Sequence, residues 1–145
     1  MDVSVEQVSS VLLAVLEGKF GGDLTSVVLF GSRVKGGYKP ASDYDFLVVC
    51  RELPSSPLGV IDLATDVVCD ILFKMGVRVS PIFFSEAQFL EEAEAGSPFL
   101  ASLLTGYRII CDRGKFVAKA LETLKSGAST IYKERGRSWV LRRTV

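Results

Sequence analysis

The sequence predicts an α+β domain in which about four short strands are flanked by helices. Three observations lead there. Four apolar, β-prone runs stand out: Val27–Phe30, Tyr44–Cys50, Val77–Phe84 and Tyr107–Cys111. Segments with helical spacing of apolar residues lie between and around them. Glycine or proline punctuates most of the junctions, as at Gly21-Gly22, Gly31, Pro54, Gly76 and Gly96.

The elements follow in chain order. From Val5 to Phe20, apolar Val8, Val11, Leu12, Val15 and Leu16 fall near helical spacing, and Gly21-Gly22 ends the helix. Its expected task is to pack on the sheet. The strand Val27–Phe30 stops at Gly31, where the backbone can turn tightly. Ser32 to Lys35 is expected to open a short helix. The second strand runs from about Tyr44 to Cys50 and is preceded by Asp43. A proline-broken loop, Arg51–Pro57, leads to a helix from Leu58 to Met75. On that helix Asp62, Asp66 and Asp70 share one side, which is expected to be a solvated face. Pro81 cannot donate to a ladder, so the third strand belongs at an edge or is bent. Two short helices, Ser85–Ala95 and Ser97–Leu104, are separated by Gly96. A fourth strand, a turn at Asp112-Arg113-Gly114 and a helix from Lys115 to Lys125 complete a domain of residues 1–126. Residues 127–145 form a basic tail in which Tyr132 and Trp139 alternate with Lys133, Arg135, Arg137, Arg142 and Arg143. It is expected to be an irregular end packed on its own domain or on a partner subunit. Nucleic-acid contact is the less favoured reading.

Composition narrows the function classes. The 145 residues suffice for one domain with a sizeable core. Lys+Arg and Asp+Glu both total 17, so no global field attracts nucleic acid or an anionic membrane. No apolar run reaches membrane-spanning length, and the start Met1-Asp2-Val3-Ser4 lacks a signal peptide's basic opening. A cytoplasmic location is expected. Cys50, Cys69 and Cys111 lie in apolar runs without metal-site spacing and are expected to be small buried thiols. The chain contains no histidine, which excludes Ser-His-Asp triads and histidine-held metals.

The chemistry concentrates between Gly31 and Asp45. A Gly-Ser bend after a strand leaves backbone N–H groups free to cradle a phosphate. Ser32 adds a hydroxyl there, and Arg33 and Lys35 add positive charge. In a strand, residues two apart share a face, so Asp43 and Asp45 are expected side by side. Two such carboxylates repel unless a cation lies between them, and hard oxygen ligands suit Mg²⁺ or Mn²⁺.

Gly31-Ser32-Arg33, then Gly36, then Ser42-Asp43-Tyr44-Asp45 between two apolar strands resembles the signature of the minimal nucleotidyltransferases, in the DNA polymerase β-like nucleotidyltransferase superfamily. The resemblance implies a polymerase β palm-like fold with a small mixed sheet. It implies that Asp43 and Asp45 are the catalytic metal ligands for Mg²⁺ or Mn²⁺. It places Gly31, Ser32, Arg33, Lys35 and Ser42 in the nucleotide-binding set, with an NTP, ATP first, as substrate. The expected reaction moves an NMP group to an acceptor hydroxyl. One position departs from the pattern: where relatives carry a third carboxylate on the third strand, this chain has Ser80. Glu86 lies just beyond that strand, but a place in the first turn of the next helix is the favoured expectation for it. Ser80 motivates a rival reading, a degenerate nucleotide-binding protein. Family members also pair, as antitoxins, with a small helical toxin-like protein, which implies a possible protein partner. A homodimer is a further possibility, and it would give room for a small-molecule acceptor pocket.

Overall fold

The computed structural model describes residues 3–125 with their side chains, and the backbone of residue 126 and of strands 129–134 and 137–142. Helix α1 (Val5–Phe20) begins at a reciprocal cap. The Gln7 N–H donates to Ser4 Oγ at 3.1 Å, and the Ser4 N–H donates to Gln7 Oε1 at 2.8 Å. Strand β1 (Leu24–Phe30), the one-turn helix α2 (Ser32–Lys35) and strand β2 (Tyr44–Cys50) follow. Ser56 caps α3 (Pro57–Met75), and Gly76, at φ 68°, ends it in the left-handed conformation. Strand β3 (Val79–Ser85), helices α4 (Glu86–Ala95) and α5 (Pro98–Leu103), strand β4 (Tyr107–Asp112) and helix α6 (Phe116–Ser126) complete the main layers.

The four strands form one sheet in the order β3-β2-β1-β4. Strand β1 is antiparallel to both β2 and β4, and β2 is parallel to β3, so the sheet is mixed. Pro81 therefore lies on an edge strand, as its missing N–H requires. The period-2 alternation of the strands divides the core between the two faces. Leu29, Phe46 and Val48 face Leu12 and Leu16 of α1 and Val67 and Ile71 of α3. Val28, Leu47 and Val49 face Phe89 of α4, Leu100 and Leu103 of α5 and Leu121 of α6. Each such buried side chain removes enough apolar surface to stabilise the fold by roughly 1.5–3 kcal/mol, so the two central strands are firmly seated.

Three expectations change on contact with the structure. The tail backbone is not irregular: β5 (Ser129–Glu134) and β6 (Arg137–Arg142) pair antiparallel and lie against α4 and α6. The tail side chains named above lie outside the described residues. Cys50 is buried, but Cys111 is only half-buried and Cys69 is exposed. α3 buries one side alone, and Cys69 falls opposite Val67 and Ile71. Asp62 and Asp66 are solvated as expected, while Asp70 is half-buried and pairs with Lys19 at 3.6 Å. No helix among the described residues is long and apolar enough to cross a membrane.

Candidate active site

The site is assembled at one end of the sheet, where β1 runs out and β2 begins. The register fixes a row across all four strands: Ser80, Asp45, Phe30 and Tyr107. Immediately after Phe30 the chain bends at Gly31, with φ 78° and ψ −158°, a conformation open to glycine alone. The bend turns the chain into α2. The N–H groups of Val34 and Lys35 both return to the Gly31 carbonyl at 3.0 Å. The first-turn N–H groups of Ser32 and Arg33 stand ahead of that ladder and point out of the helix start.

Asp45 lies directly over this bend. Its carboxylate occupies the place where a Cβ on residue 31 would sit, so glycine is required there for space as well as for φ. Burial, and then the negative charge of Asp43, push the Asp45 carboxyl above its usual range. Asp43 is thus within electrostatic reach of Asp45. It lies one residue before β2 rather than inside the strand, and it is exposed. Two carboxylates of one short segment, opposing each other without a compensating charge, form a donor set that fits a hard divalent cation. Among the described residues, no cluster of three or more acidic, cysteine or histidine side chains offers a fuller cage.

The remaining predicted residues separate. Ser32 opens α2 at the bend. Lys35 is exposed, and its aliphatic stem packs along Gly106, on the β4 side of the bend. Ser42 is taken up in the loop: its Oγ accepts the Lys39 N–H at 2.9 Å, and its own N–H donates to the Lys39 carbonyl at 2.9 Å. Arg33 goes elsewhere than a phosphate-screening role would place it. Its guanidinium lies over the rings of Tyr44 and Tyr38, at 4.1 Å and 4.5 Å from their centroids. Its Nη2 donates to the carbonyls of Ser42 at 2.7 Å and Pro40 at 3.2 Å. Tyr44 belongs to the α1–α3 face, so this cluster lies behind the loop from Asp45. A cavity of about 580 Å³ opens on that rear side, lined by Arg33, Tyr38, Ser42, Tyr44 and Arg78, and neither aspartate lines it.

Ser80 is the register partner of Asp45 on β3, the position at which the sequence resemblance implies a third carboxylate. Glu86 cannot substitute for it. Glu86 sits in the first turn of α4, is 2% exposed, and accepts the Thr25 hydroxyl at 2.7 Å. Thr25 is at the opposite end of β1 from Gly31, roughly 20 Å away along the strand. The Ser85–Gln88 capping box that orders this turn was legible in the sequence as Ser-x-x-Gln.

With this geometry in hand, comparison with known proteins is decisive at the level of family. Residues 11–111 match the nucleotidyltransferase domain family. The chain belongs to that family. A provisionally named protein adenylyltransferase of Methanocaldococcus jannaschii is 35% identical over 107 residues, spanning 74% of this chain and 71% of the relative. This nucleotidyltransferase domain also shares its fold with a chain of the Shewanella oneidensis complex of tri-AMPylated HEPN toxin with MNT antitoxin. That likeness has a TM-score of 0.51 at 11% identity, covering 83% of this chain and 86% of the other. Spectinomycin adenyltransferase of Enterococcus faecialis, solved with ATP and spectinomycin, superposes with a TM-score of 0.54 at 18% identity, covering 84% of this chain and 66% of the other.

Proposed function

We propose that this chain transfers a nucleoside monophosphate from an NTP, ATP first, to an acceptor hydroxyl on a protein side chain, releasing pyrophosphate. The observation that carries the reading is the seating of the Asp45 carboxylate on the Gly31 bend, with Asp43 close enough to oppose its ionisation. Asp43 and Asp45 would hold Mg²⁺ or Mn²⁺, which in such a site neutralises charge developing on the phosphates. Ser32, through its hydroxyl and N–H, and the Arg33 N–H receive phosphate oxygens at the bend. Lys35 supplies the screening charge, since the Arg33 side chain is committed to the loop. The relative from Methanocaldococcus jannaschii supports the choice of adenylyl group and protein acceptor. The test is incubation with α-labelled NTPs, Mg²⁺ or Mn²⁺, and cell extract. Label should appear on protein in an Asp45-dependent way. Undiminished labelling by Asp45→Asn would refute the scheme.

A second reading, action by contact with a small helical protein, is favoured by one feature of α3. Its outer side leaves Phe73 93%, Leu58 67%, Ile61 58% and Leu72 47% exposed. Leu58, Ile61, Thr65 and Leu72, spaced three, four and seven residues apart, share one exposed stripe of the helix, with Phe73 beside it. The toxin–antitoxin neighbour supports a toxin-like helical protein as the occupant. Leu72→Asp with Phe73→Asp should abolish capture of such a partner while leaving nucleotide binding intact. Capture unaffected by the double substitution would refute this reading.

A further inference from the structure

Asp43 and Asp45 are held by different means. Asp45 is locked in a ladder, paired with Phe30 on one side and Ser80 on the other. Asp43 precedes the strand, and no ladder partner fixes it. Both of its chain neighbours are nevertheless gripped by one side chain. Arg33 Nη2 donates to the carbonyl of Ser42, which belongs to the peptide leading into Asp43. The same guanidinium sits over the ring of Tyr44, the residue that follows, 4.1 Å from its centroid. A second bond to the Pro40 carbonyl, and the Tyr38 ring on the outer side, close the clamp. Tyr44 is itself anchored: it is 4% exposed, and its N–H donates to the Arg78 carbonyl at 3.0 Å.

We infer that Arg33 is the positioning residue that aims Asp43 at the cation held jointly with Asp45. This deepens the nucleotidyl-transfer reading and rests on it. In this reading the Arg33 side chain acts on the loop rather than on the nucleotide. It converts an exposed carboxylate in a loop into one half of a site whose other half is in a strand. Lysine replaces it poorly, because a compact, strongly hydrated ammonium cannot reach both carbonyls while presenting a delocalised cation to two rings.

The test is a double-mutant cycle on the full chain, with Mn²⁺ and a non-hydrolysable ATP analogue as probes and bound Mn²⁺ counted by electron paramagnetic resonance. Arg33→Ala should weaken Mn²⁺ about 10- to 100-fold in the parent protein, as loss of a group that orients a metal ligand does. In an Asp43→Asn background the same change should cost less than about twofold, because the ligand it orients is gone. Arg33→Lys should recover little. Equal weakening in both backgrounds, or none in the parent, overturns the inference. Should the parent itself bind no Mn²⁺ with nucleotide, the nucleotidyl-transfer reading falls instead. The clamp is then judged by amide hydrogen exchange. Arg33→Ala should expose the Lys39 and Ser42 amides while the Tyr44 amide stays protected, and an unchanged loop overturns it. Tyr38→Leu removes one half-exposed ring without touching the core and should shift both readouts in the same direction, to a smaller extent. It serves as the test variant if Arg33→Ala does not fold.

Discussion

The carboxylate of Asp45 lies against the backbone of Gly31 so closely that no Cβ fits between them. One glycine thus does two things. It permits the positive φ that turns β1 into α2, and it clears the space into which the first residue pair of the β1–β2 ladder places an acid.

Gly31→Ala should therefore fail twice over. The backbone strain alone is worth about 1–3 kcal/mol, and the added methyl must push the Asp45 carboxylate out of position. We expect a soluble, moderately destabilised protein with nucleotidyl transfer reduced at least 100-fold, since displacement of a reacting group by about 1 Å commonly costs that much. Thermal melts beside labelled-NTP assays check both halves. Full activity in a folded Gly31→Ala protein would contradict the placement of Asp45.

A second prediction follows from the unrelieved repulsion between Asp43 and Asp45. A divalent cation bound between them should stabilise the fold by mass action, by about 2.7 kcal/mol at a free concentration 100 times the dissociation constant. Thermal unfolding in EDTA, in Mg²⁺ and in Mn²⁺, each with and without nucleotide, measures this. The cation-dependent shift should shrink in Asp43→Asn, which keeps the strand-held ligand, and vanish in Asp45→Asn. In EDTA, each of these variants should be at least as stable as the parent, because each removes one of the two opposing charges.

The sequence made the strands, the Gly-Ser bend, the start of α2 and the edge position of Pro81 readable, because each follows from local geometry or a missing N–H. The site was less fully readable. Asp43 and Asp45 were expected side by side from the two-residue period of a strand, yet pairing begins at Tyr44, so the ladder holds Asp45 alone. The destination of Arg33 depends on two tyrosine rings that meet only once β2 is docked on α1 and α3, so local spacing pointed it at the phosphates instead. Cys69 was misplaced for a related reason. An apolar run on a helix says nothing about how much of that helix is covered, and here the outer side of α3 is open.

The thiols provide a prediction at alkaline pH. Burial first, then the charges of Asp23 and Glu86, push the Cys50 thiol from an ordinary 9.0 up to about 12. Its folded value lies above its unfolded one, so the neutral thiol's contribution is fully present below pH 9.0 and is lost as pH rises toward about 12. In that window, stability should fall by up to roughly 1.4 kcal/mol per pH unit from this group. Denaturation of Cys50→Ala should show a shallower alkaline decline, and the difference between the two proteins isolates Cys50 from other titrating groups. At pH 8, a thiol reagent should label exposed Cys69 in the native protein and reach Cys50 only on unfolding. An identical alkaline decline in both proteins would show that Cys50 is not held as the structure places it.

The register of β2 and β3 sets up the last prediction. Ser80 is paired directly with Asp45, and in a parallel pair such residues project to the same face. Ser80→Asp would place a third carboxylate in the row with Asp45. Without cation, three acids crowd one site, so the variant should melt below the parent in EDTA. With Mn²⁺, the extra ligand should tighten binding by about tenfold, the effect of roughly 1.4 kcal/mol of added coordination, and nucleotidyl transfer should rise with it. Ser80→Asn controls for size, and it should change neither the EDTA melt nor the affinity by more than about twofold. If Ser80→Asp lowers the EDTA melt yet leaves Mn²⁺ affinity and transfer unchanged, the cation does not lie on the Asp45 side of β3. Its site would then have to be sought toward Asp43 alone. If affinity and transfer rise together, the serine at position 80 is what limits cation binding and transfer in this chain.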